Sequence, residues 1–194
     1  MAGVGESAAW REPNPLVAAR LEEVFAACFA SRLQTRLQGG AEEPLYQPAQ
    51  SPGQANVIYY RADYFASALH EIAHWCIAGA ERRQLLDFGY WYAPDGRTAA
   101  QQHAFEAVEC KPQALEWLFA RACGSRFKLS ADNLDANSGR IPDASSFRRQ
   151  VFQQALLWQQ ALPQRAAEFY QGLCVEFGTT TAVGKLSLSL AELQ

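Results

Sequence analysis

Residues 65–79 read FASALHEIAHWCIAG, and this stretch decides how the chain is organised. Its apolar residues recur with the period of a helix that buries one face. His70 and His74 lie four residues apart, so they project from the same side of this helix, one turn from each other. This is the spacing at which two imidazoles bind one divalent metal ion, and the pair takes two of the three histidines in the protein. The sequence therefore predicts a helix that carries a metal.

A metal held by two histidines needs a further donor, and a later helical pattern supplies two carboxylates. Glu106 and Glu109 lie three residues apart, on adjoining positions of one helix face. The residues around them are largely apolar, so we expect at least one of these glutamates to turn toward the interior, where a metal would neutralise its charge. Either glutamate could be the third ligand, and the alternative is a solvated face that carries two acids.

Glu71 lies between the two histidines but points to another side of the helix turn. In zinc peptidases the glutamate at this position is the general base that takes a proton from metal-bound water. Glu71 could equally orient a metal ligand or form a salt bridge with Arg82 or Arg83. Two imidazoles and one carboxylate suit zinc hydrolysis and iron(II) oxygen chemistry alike, so the donors alone do not select the metal.

Length and composition favour one compact domain. The chain has 194 residues, of which 49% are hydrophobic and 19% charged, and this is enough for one well-buried core. We expect a flexible N-terminus over residues 1–14, a single metal-binding domain over 15–178 and a loosely attached tail over 179–194. A formal net charge of -3, with the signs interspersed, argues against a nucleic-acid surface.

The absence of targeting signals and the cysteine usage point to the cytoplasm. The sequence shows no secretory leader and no apolar run long enough to cross a bilayer, so we expect no membrane partner. Its five cysteines are odd in number and include no Cys-x-x-Cys pair, which is typical of reduced thiols.

Turn signals divide the first half of the sequence. We expect a first helix from Asn14-Pro15 to a break at Gly39-Gly40, a strand over residues 57–60, and shorter extended pieces at 45–46 and 85–92. Asp63 is placed to cap the metal helix, which Gly79 would close.

Capping signals divide the second half. Thr98 and Gln101 form a capping-box pair for a helix that Lys111-Pro112 should break or kink. Further helices are expected over residues 145–161 and 163–178. The fold class that follows is α+β: a predominantly helical domain with a small antiparallel sheet next to the metal helix.

Three motifs in order make the sequence similar to a known family. Residues 65–79, then LDFGYWYAPDGR at 86–97, then FEAVECKPQAL at 105–115, strongly resemble the bacterial elongation factor P hydroxylases. The likeness extends more weakly to residues 43–46 and 132–134, so it covers most of residues 15 to 175.

The resemblance implies an oxygenase that hydroxylates the β-lysylated lysine of elongation factor P. His70 and His74 match the metal-binding histidines of the family, and the third ligand falls in the Phe-Glu-x-Val-Glu segment, with Glu109 preferred and Glu106 held in reserve. Iron(II) is the expected metal, although zinc or another divalent ion could occupy a purified sample, and dioxygen is the expected cosubstrate. The helical His-Glu-x-x-His pattern differs from the usual 2-oxoglutarate-dependent site, so the electron donor stays open.

A cationic lysine arm needs acids and aromatic faces for its recognition. Asp87, Tyr90, Trp91 and Asp95 lie between the two ligand helices and are the candidates for this contact, and the alternative for the aromatic ones is a place in the core. Two further hypotheses stay open. One is a zinc metallopeptidase with Glu71 as general base, and the other is a metal-stabilised module that docks a translation factor without turnover.

Overall fold

The computed structural model describes residues 16–87, 97–130 and 144–193. Within these ranges the chain forms five α-helices, three short strands and three 3₁₀ turns. The helices are α1 (Ala18–Leu33), α2 (Phe65–Ile77), α3 (Ala99–Cys123), α4 (Ser145–Gln160) and α5 (Gln164–Phe177), and the strands are β1 (Thr35–Ala41), β2 (Leu45–Gln47) and β3 (Asn56–Arg61). The predicted α+β class with helices predominating is confirmed.

The sheet has the order β1-β3-β2 and is mixed. β2 pairs with β3 in the antiparallel sense, as expected, but β1 pairs with β3 in the parallel sense. The prediction of an antiparallel sheet is therefore wrong for one of its two strand pairs. Between β1 and β3, the segment that contains β2 runs back along the sheet from the end of β1 to its start. β3 therefore begins beside the first residue of β1, with Thr35 opposite Asn56.

Gly39 and Gly40 lie inside β1 and do not end a helical segment, which corrects the prediction made from them. The register between β1 and β3 shifts between Gln38 and Ala41, so the two glycines form an irregularity within a strand. A Cβ atom on Gly39 would lie 2.7 Å from the carbonyl oxygen of Ala62, and only glycine permits this close approach.

Helix α2, which carries the two histidines, begins without a side-chain cap. Its N-cap residue is Tyr64, so Asp63 does not cap it as predicted. At its other end the helix stops at Ile77, and Ala78 adopts an extended backbone there, ahead of Gly79. The Arg165 guanidinium from α5 donates hydrogen bonds to the carbonyl oxygens of Trp75, Cys76 and Ala78 at 3.0, 3.1 and 2.5 Å. A side chain distant in sequence therefore takes the place of the usual C-terminal cap.

Helix α3 begins with the predicted capping box. The Thr98 hydroxyl accepts a hydrogen bond from the Gln101 amide, and the Gln101 side chain accepts one from the Thr98 amide. The helix then continues through Pro112 to Cys123, so the predicted break at Lys111-Pro112 is wrong. Pro112 is itself buried, and α3 packs against α2, α4 and α5. These tertiary contacts outweigh the loss of one backbone hydrogen bond at the proline.

Two hydrophobic clusters share α3. The first joins α1, α2, α5 and the sheet around the aromatic rings of Phe25, Phe29, Trp75 and Phe169. The second lies between α3 and α4, and α3 contributes Leu115 and Phe119 to the first cluster and Trp117 and Leu118 to the second. Such packing fixes the position of α3 relative to α2. These two helices carry the predicted metal ligands.

The segment after Gly178 packs against the domain. Leu193 is completely buried in the second cluster, and Glu192 pairs with Arg121 of α3 at 2.8 Å. Thr179 donates a hydrogen bond to the carbonyl oxygen of Ala122 at 2.5 Å. These contacts contradict the expectation of a loosely attached tail. Among the described helices, none is long and apolar enough to cross a bilayer.

Candidate metal centre

The two histidines of α2 face one another across one helix turn. The Nε2 atoms of His70 and His74 are 3.1 Å apart. The opposite face of the helix is anchored in the first cluster by Leu69, Ile72 and Ala73, each at most 2% exposed. The buried stripe therefore fixes the direction in which both imidazoles project.

Glu109 of α3 completes the cluster. Its carboxylate oxygens lie 3.4 Å from Nε2 of His70 and 3.2 Å from Nε2 of His74, and the residue is only 4% exposed. The three donor atoms of this group all lie within 4.8 Å of one another. Glu106, the reserve candidate, instead accepts a hydrogen bond from Gln102 at 3.0 Å and is not in the cluster.

The donor set fits a divalent metal ion. Ligand atoms that bind one ion at about 2.0–2.2 Å are themselves roughly 3–3.5 Å apart. The spacing of the two imidazole nitrogens falls in that interval, and so does the distance from each nitrogen to one Glu109 oxygen, Oε2 for His70 and Oε1 for His74. Two imidazole nitrogens and one carboxylate oxygen are donors suited to iron(II) and to zinc. The three side chains are already close together without a metal, since each lies on a helix whose other face is packed in the core.

The carboxylates around the histidines stabilise positive charge. Burial by itself lowers the pKa of His70, but the hydrogen bond and the charge of Glu116 outweigh it and raise this pKa to about 10. Burial by itself raises the pKa of Glu109, but the hydrogen bond from His74 and the charges of both imidazoles lower it to about 2. An imidazolium and a carboxylate thus share the metal-free site, and a cation can replace the proton.

Two further residues of α3 contact the cluster, and the sequence analysis missed both. Glu116 Oε2 lies 2.8 Å from Nδ1 of His70, and Gln113 Nε2 donates to Glu109 Oε2 at 3.5 Å. Gln113 also exchanges two hydrogen bonds with the backbone of Ser130, at 2.8 and 2.9 Å. Glu109, Gln113 and Glu116 follow one another at intervals of four and three residues, so they share one face of the helix. That spacing is the sequence signal that could have identified Gln113 and Glu116. It is difficult to recognise because Glu116 lies in an apolar run.

A cavity of about 570 Å³ adjoins the cluster at His74. Three aromatic residues, Tyr46, Trp75 and Trp158, line it, together with Glu71 from α2. Two carboxylates belong to the lining, and Asp87 is already paired with Arg82, so a long side chain that ends in a cation would place that end at Glu71. The lining also contains three cationic residues: Arg82, Arg83 and Lys111.

Of the predicted substrate contacts, Asp87 lines this cavity, whereas Tyr90, Trp91 and Asp95 lie outside the described residues. Asp87 accepts a hydrogen bond from Arg82 at 2.5 Å. Arg82 is thus engaged by Asp87, and no ion pair between Glu71 and Arg82 or Arg83 forms in the part of the protein that the structure describes. Burial raises the pKa of Glu71, and the positive charge of the two histidines opposes this effect.

Comparison with known proteins identifies the family. The model of the elongation factor P hydroxylase family matches residues 24–186. A curated protein of Haemophilus influenzae, described as an elongation factor P lysine hydroxylase, is 46% identical over 157 residues, which span 80% of this chain and 86% of that protein. Residues 24–186 include α2, α3 and the cluster of His70, His74 and Glu109. The resemblance seen in three short motifs therefore holds along nearly the whole domain. The chain belongs to the elongation factor P hydroxylase family.

Proposed function

We propose that this protein hydroxylates the β-lysylated lysine of elongation factor P, with iron(II) as its metal and dioxygen as its cosubstrate. Membership of the family supports the reaction, and the name of the Haemophilus influenzae relative supports a lysine as the residue that is modified. The single observation that carries the metal-dependent form of this proposal is the convergence of His70, His74 and Glu109 within 4.8 Å.

His70, His74 and Glu109 would hold the metal. Two imidazoles and one carboxylate leave several coordination positions free for other molecules, which is the arrangement that non-heme iron oxygenases use. The bound metal would supply the activation of dioxygen. In the overall reaction one C–H bond of the modified lysine becomes C–OH, and the second oxygen atom leaves as water with two electrons from a reductant and two protons.

We propose that the lysine arm enters the cavity beside His74. Its aromatic walls would pack along the methylene groups, because such groups gain free energy when they leave water. Glu71 lines the same cavity, three residues before His74, and would face a cationic nitrogen of the arm or receive a proton during turnover. Asp87, which also lines this cavity, would contribute to the same contact, and Tyr90, Trp91 and Asp95 remain predicted substrate contacts.

The five cysteines are all free thiols, as a reducing compartment would keep them. The proposed substrate is a translation factor, so we propose that the protein acts in the cytoplasm.

The test is a mass measurement on the substrate protein. The purified protein, reconstituted anaerobically with iron(II), is mixed with β-lysylated elongation factor P, a reductant and ¹⁸O₂. We expect a gain of one ¹⁸O atom on the modified lysine, and no gain with elongation factor P that lacks the β-lysyl group. Absence of oxygen incorporation under every reductant would overturn the proposal.

The same samples distinguish the rival hypotheses. Cleavage of a peptide library by the zinc form would indicate a metallopeptidase, and replacement of Glu71 by Gln should then nearly abolish turnover. Binding of elongation factor P without any mass change would indicate a docking module.

A further inference from the structure

We infer that Glu116 is a positioning residue of the metal centre, which holds the His70 ring so that its Nε2 atom is directed at the metal. This inference rests on the metal-binding part of the proposed function and does not depend on the reaction. Glu116 lies on α3, two helix turns after the ligand Glu109, and its carboxylate contacts the histidine from the side away from the cluster.

The two ring nitrogens of His70 contact different groups. Its Nε2 atom faces Nε2 of His74 at 3.1 Å and Oε2 of Glu109 at 3.4 Å. Its Nδ1 atom faces Oε2 of Glu116 at 2.8 Å. Since the two nitrogens lie at different positions of the ring, Glu116 cannot share an ion with Nε2, and it is not in the group of three converging donors.

The hydrogen bond also selects the tautomer. A carboxylate only accepts, so the 2.8 Å contact requires a proton on Nδ1 of His70. In the neutral ring this leaves the lone pair on Nε2, which is the nitrogen that faces the other two donors. A histidine that donates one ring N–H to a carboxylate is held in orientation and is a more basic ligand through its other nitrogen.

Glu116 is nearly buried, and His70 is its hydrogen-bond partner. The residue is 8% exposed, and within the described residues its carboxylate makes no hydrogen bond except the one to His70. A carboxylate that loses most of its water and gains a single partner is costly unless that partner carries a compensating charge. Together, Glu109 and Glu116 bring two negative charges to the cluster, which equals the charge of one divalent ion.

The test measures metal affinity in the absence of any substrate. Zinc(II) and cobalt(II) are titrated into the metal-free full-length protein in competition with a chromophoric chelator, for the wild type, Glu116→Gln and Glu116→Ala. We expect the dissociation constant of Glu116→Ala to rise by about 10- to 100-fold, and that of Glu116→Gln by less, because an amide oxygen still accepts the proton but carries no charge. The control is Glu168→Gln, a carboxylate that pairs with Arg32 at 2.6 Å away from the cluster, and its affinity should not change.

Two measurements exclude a merely structural role. The cobalt(II) absorption spectrum should change in Glu116→Gln, and long-range ¹H–¹⁵N spectra of the zinc-loaded wild type should show His70 protonated at Nδ1 and bound through Nε2. If both variants lose stability in the metal-free form but keep the wild-type affinity and spectrum, the inference is overturned. If Glu116→Ala does not fold, Glu116→Gln and the tautomer of wild-type His70 decide the matter. A wild type that binds neither metal would overturn the metal centre itself.

Discussion

Three carboxylates surround His70. Two of them contact its ring nitrogens, and the third belongs to the next residue in the sequence. Nε2 faces Glu109, Nδ1 contacts Glu116, and Glu71 follows in the sequence. Single substitutions at these positions can therefore separate the side chains that bind a metal from those that control its charge.

The first prediction concerns the third ligand. Glu109→Ala should leave the purified protein with little bound iron or zinc, because only two of the converging donors remain. Glu106→Ala should keep its metal, since that side chain bonds to Gln102 outside the cluster. Elemental analysis after dialysis against buffer measures both. Normal metal content in Glu109→Ala together with loss in Glu106→Ala would contradict the assignment.

The second prediction concerns the stability of the metal-free protein as a function of pH. The pKa of His70 is raised from 6.5 to about 10, so the stabilisation it gives is complete below pH 6.5 and is lost as the pH rises toward 10. The pKa of Glu109 is lowered from 4.5 to about 2, so its stabilisation is present above pH 4.5 and is lost toward pH 2. The contribution of this pair is therefore greatest between pH 4.5 and 6.5.

Urea denaturation in the presence of a chelator measures this dependence. The stability difference between wild type and Glu116→Gln should be largest and nearly constant within that interval and should shrink as the pH rises from 6.5 toward 10. A difference that grows steadily with pH would show that Glu116 does not stabilise protonated His70.

Among the helices, α2 depends on a side chain from α5. Arg165 donates to three carbonyl oxygens at the end of α2 and stacks over the Trp75 ring, with 4.9 Å between the guanidinium carbon and the ring centroid. Because His74 lies in the last turn of α2, this contact supports the geometry of the His70–His74–Glu109 cluster as well as the helix end.

The third prediction follows from that contact. Arg165→Ala should lower the free energy of unfolding by about 2 kcal/mol, because charged hydrogen bonds to helix carbonyls are lost and these groups are left unsatisfied. Arg165→Lys should restore only part of the loss, since an ammonium lacks the planar fork of a guanidinium. Chemical denaturation measures both variants. An Arg165→Ala protein as stable as the wild type would show that water satisfies the end of α2 equally well.

What could be predicted from the sequence depends largely on the distance between the residues involved. The local prediction that Asp63 caps α2 is an exception, because the N-cap residue is Tyr64. The His70–His74 pair and the Thr98–Gln101 capping box depend on neighbours within four residues, and both are placed as expected. The parallel pairing of β1 with β3 and the persistence of α3 through Pro112 depend on partners far away in the sequence, and both were predicted wrongly. Local propensity is a weak guide where tertiary packing decides the outcome.

The site shows the same division. Two of its donors follow from one helix turn, but the choice between Glu106 and Glu109 depends on how α3 rotates against α2, which only the packed structure shows. Glu116 could not be separated from the buried residues around it, because its partner His70 is 46 residues away in the sequence.

Across the molecule as a whole, the C-terminal segment closes the second hydrophobic cluster. Leu193 is fully buried there, in contact with a cluster that includes Trp117 and Phe147. Residues 179–193 thus belong to the packed unit and stabilise the side of α3 that faces away from the metal centre.

The fourth prediction tests this arrangement with two leucines of the same segment. Leu193→Ala should lower the free energy of unfolding by about 2–3 kcal/mol, because it removes buried methyl groups and leaves a cavity. Leu190→Ala should change it by less than about 0.5 kcal/mol, as this side chain is 40% exposed. Equal effects of the two substitutions in guanidinium denaturation would show that the segment is not packed as described.

Helix α3 gives the whole molecule a further property, which concerns the exchange of a bound ion. It contributes side chains to both hydrophobic clusters and also carries Glu109 and Glu116. No small fluctuation of a loop can separate Glu109 from His74, because that movement would have to pull apart the packing of the entire domain. An ion bound between α2 and α3 would therefore leave by the stepwise replacement of its protein ligands with water while both helices stay in place, and the metal-free protein would take up a new ion without refolding.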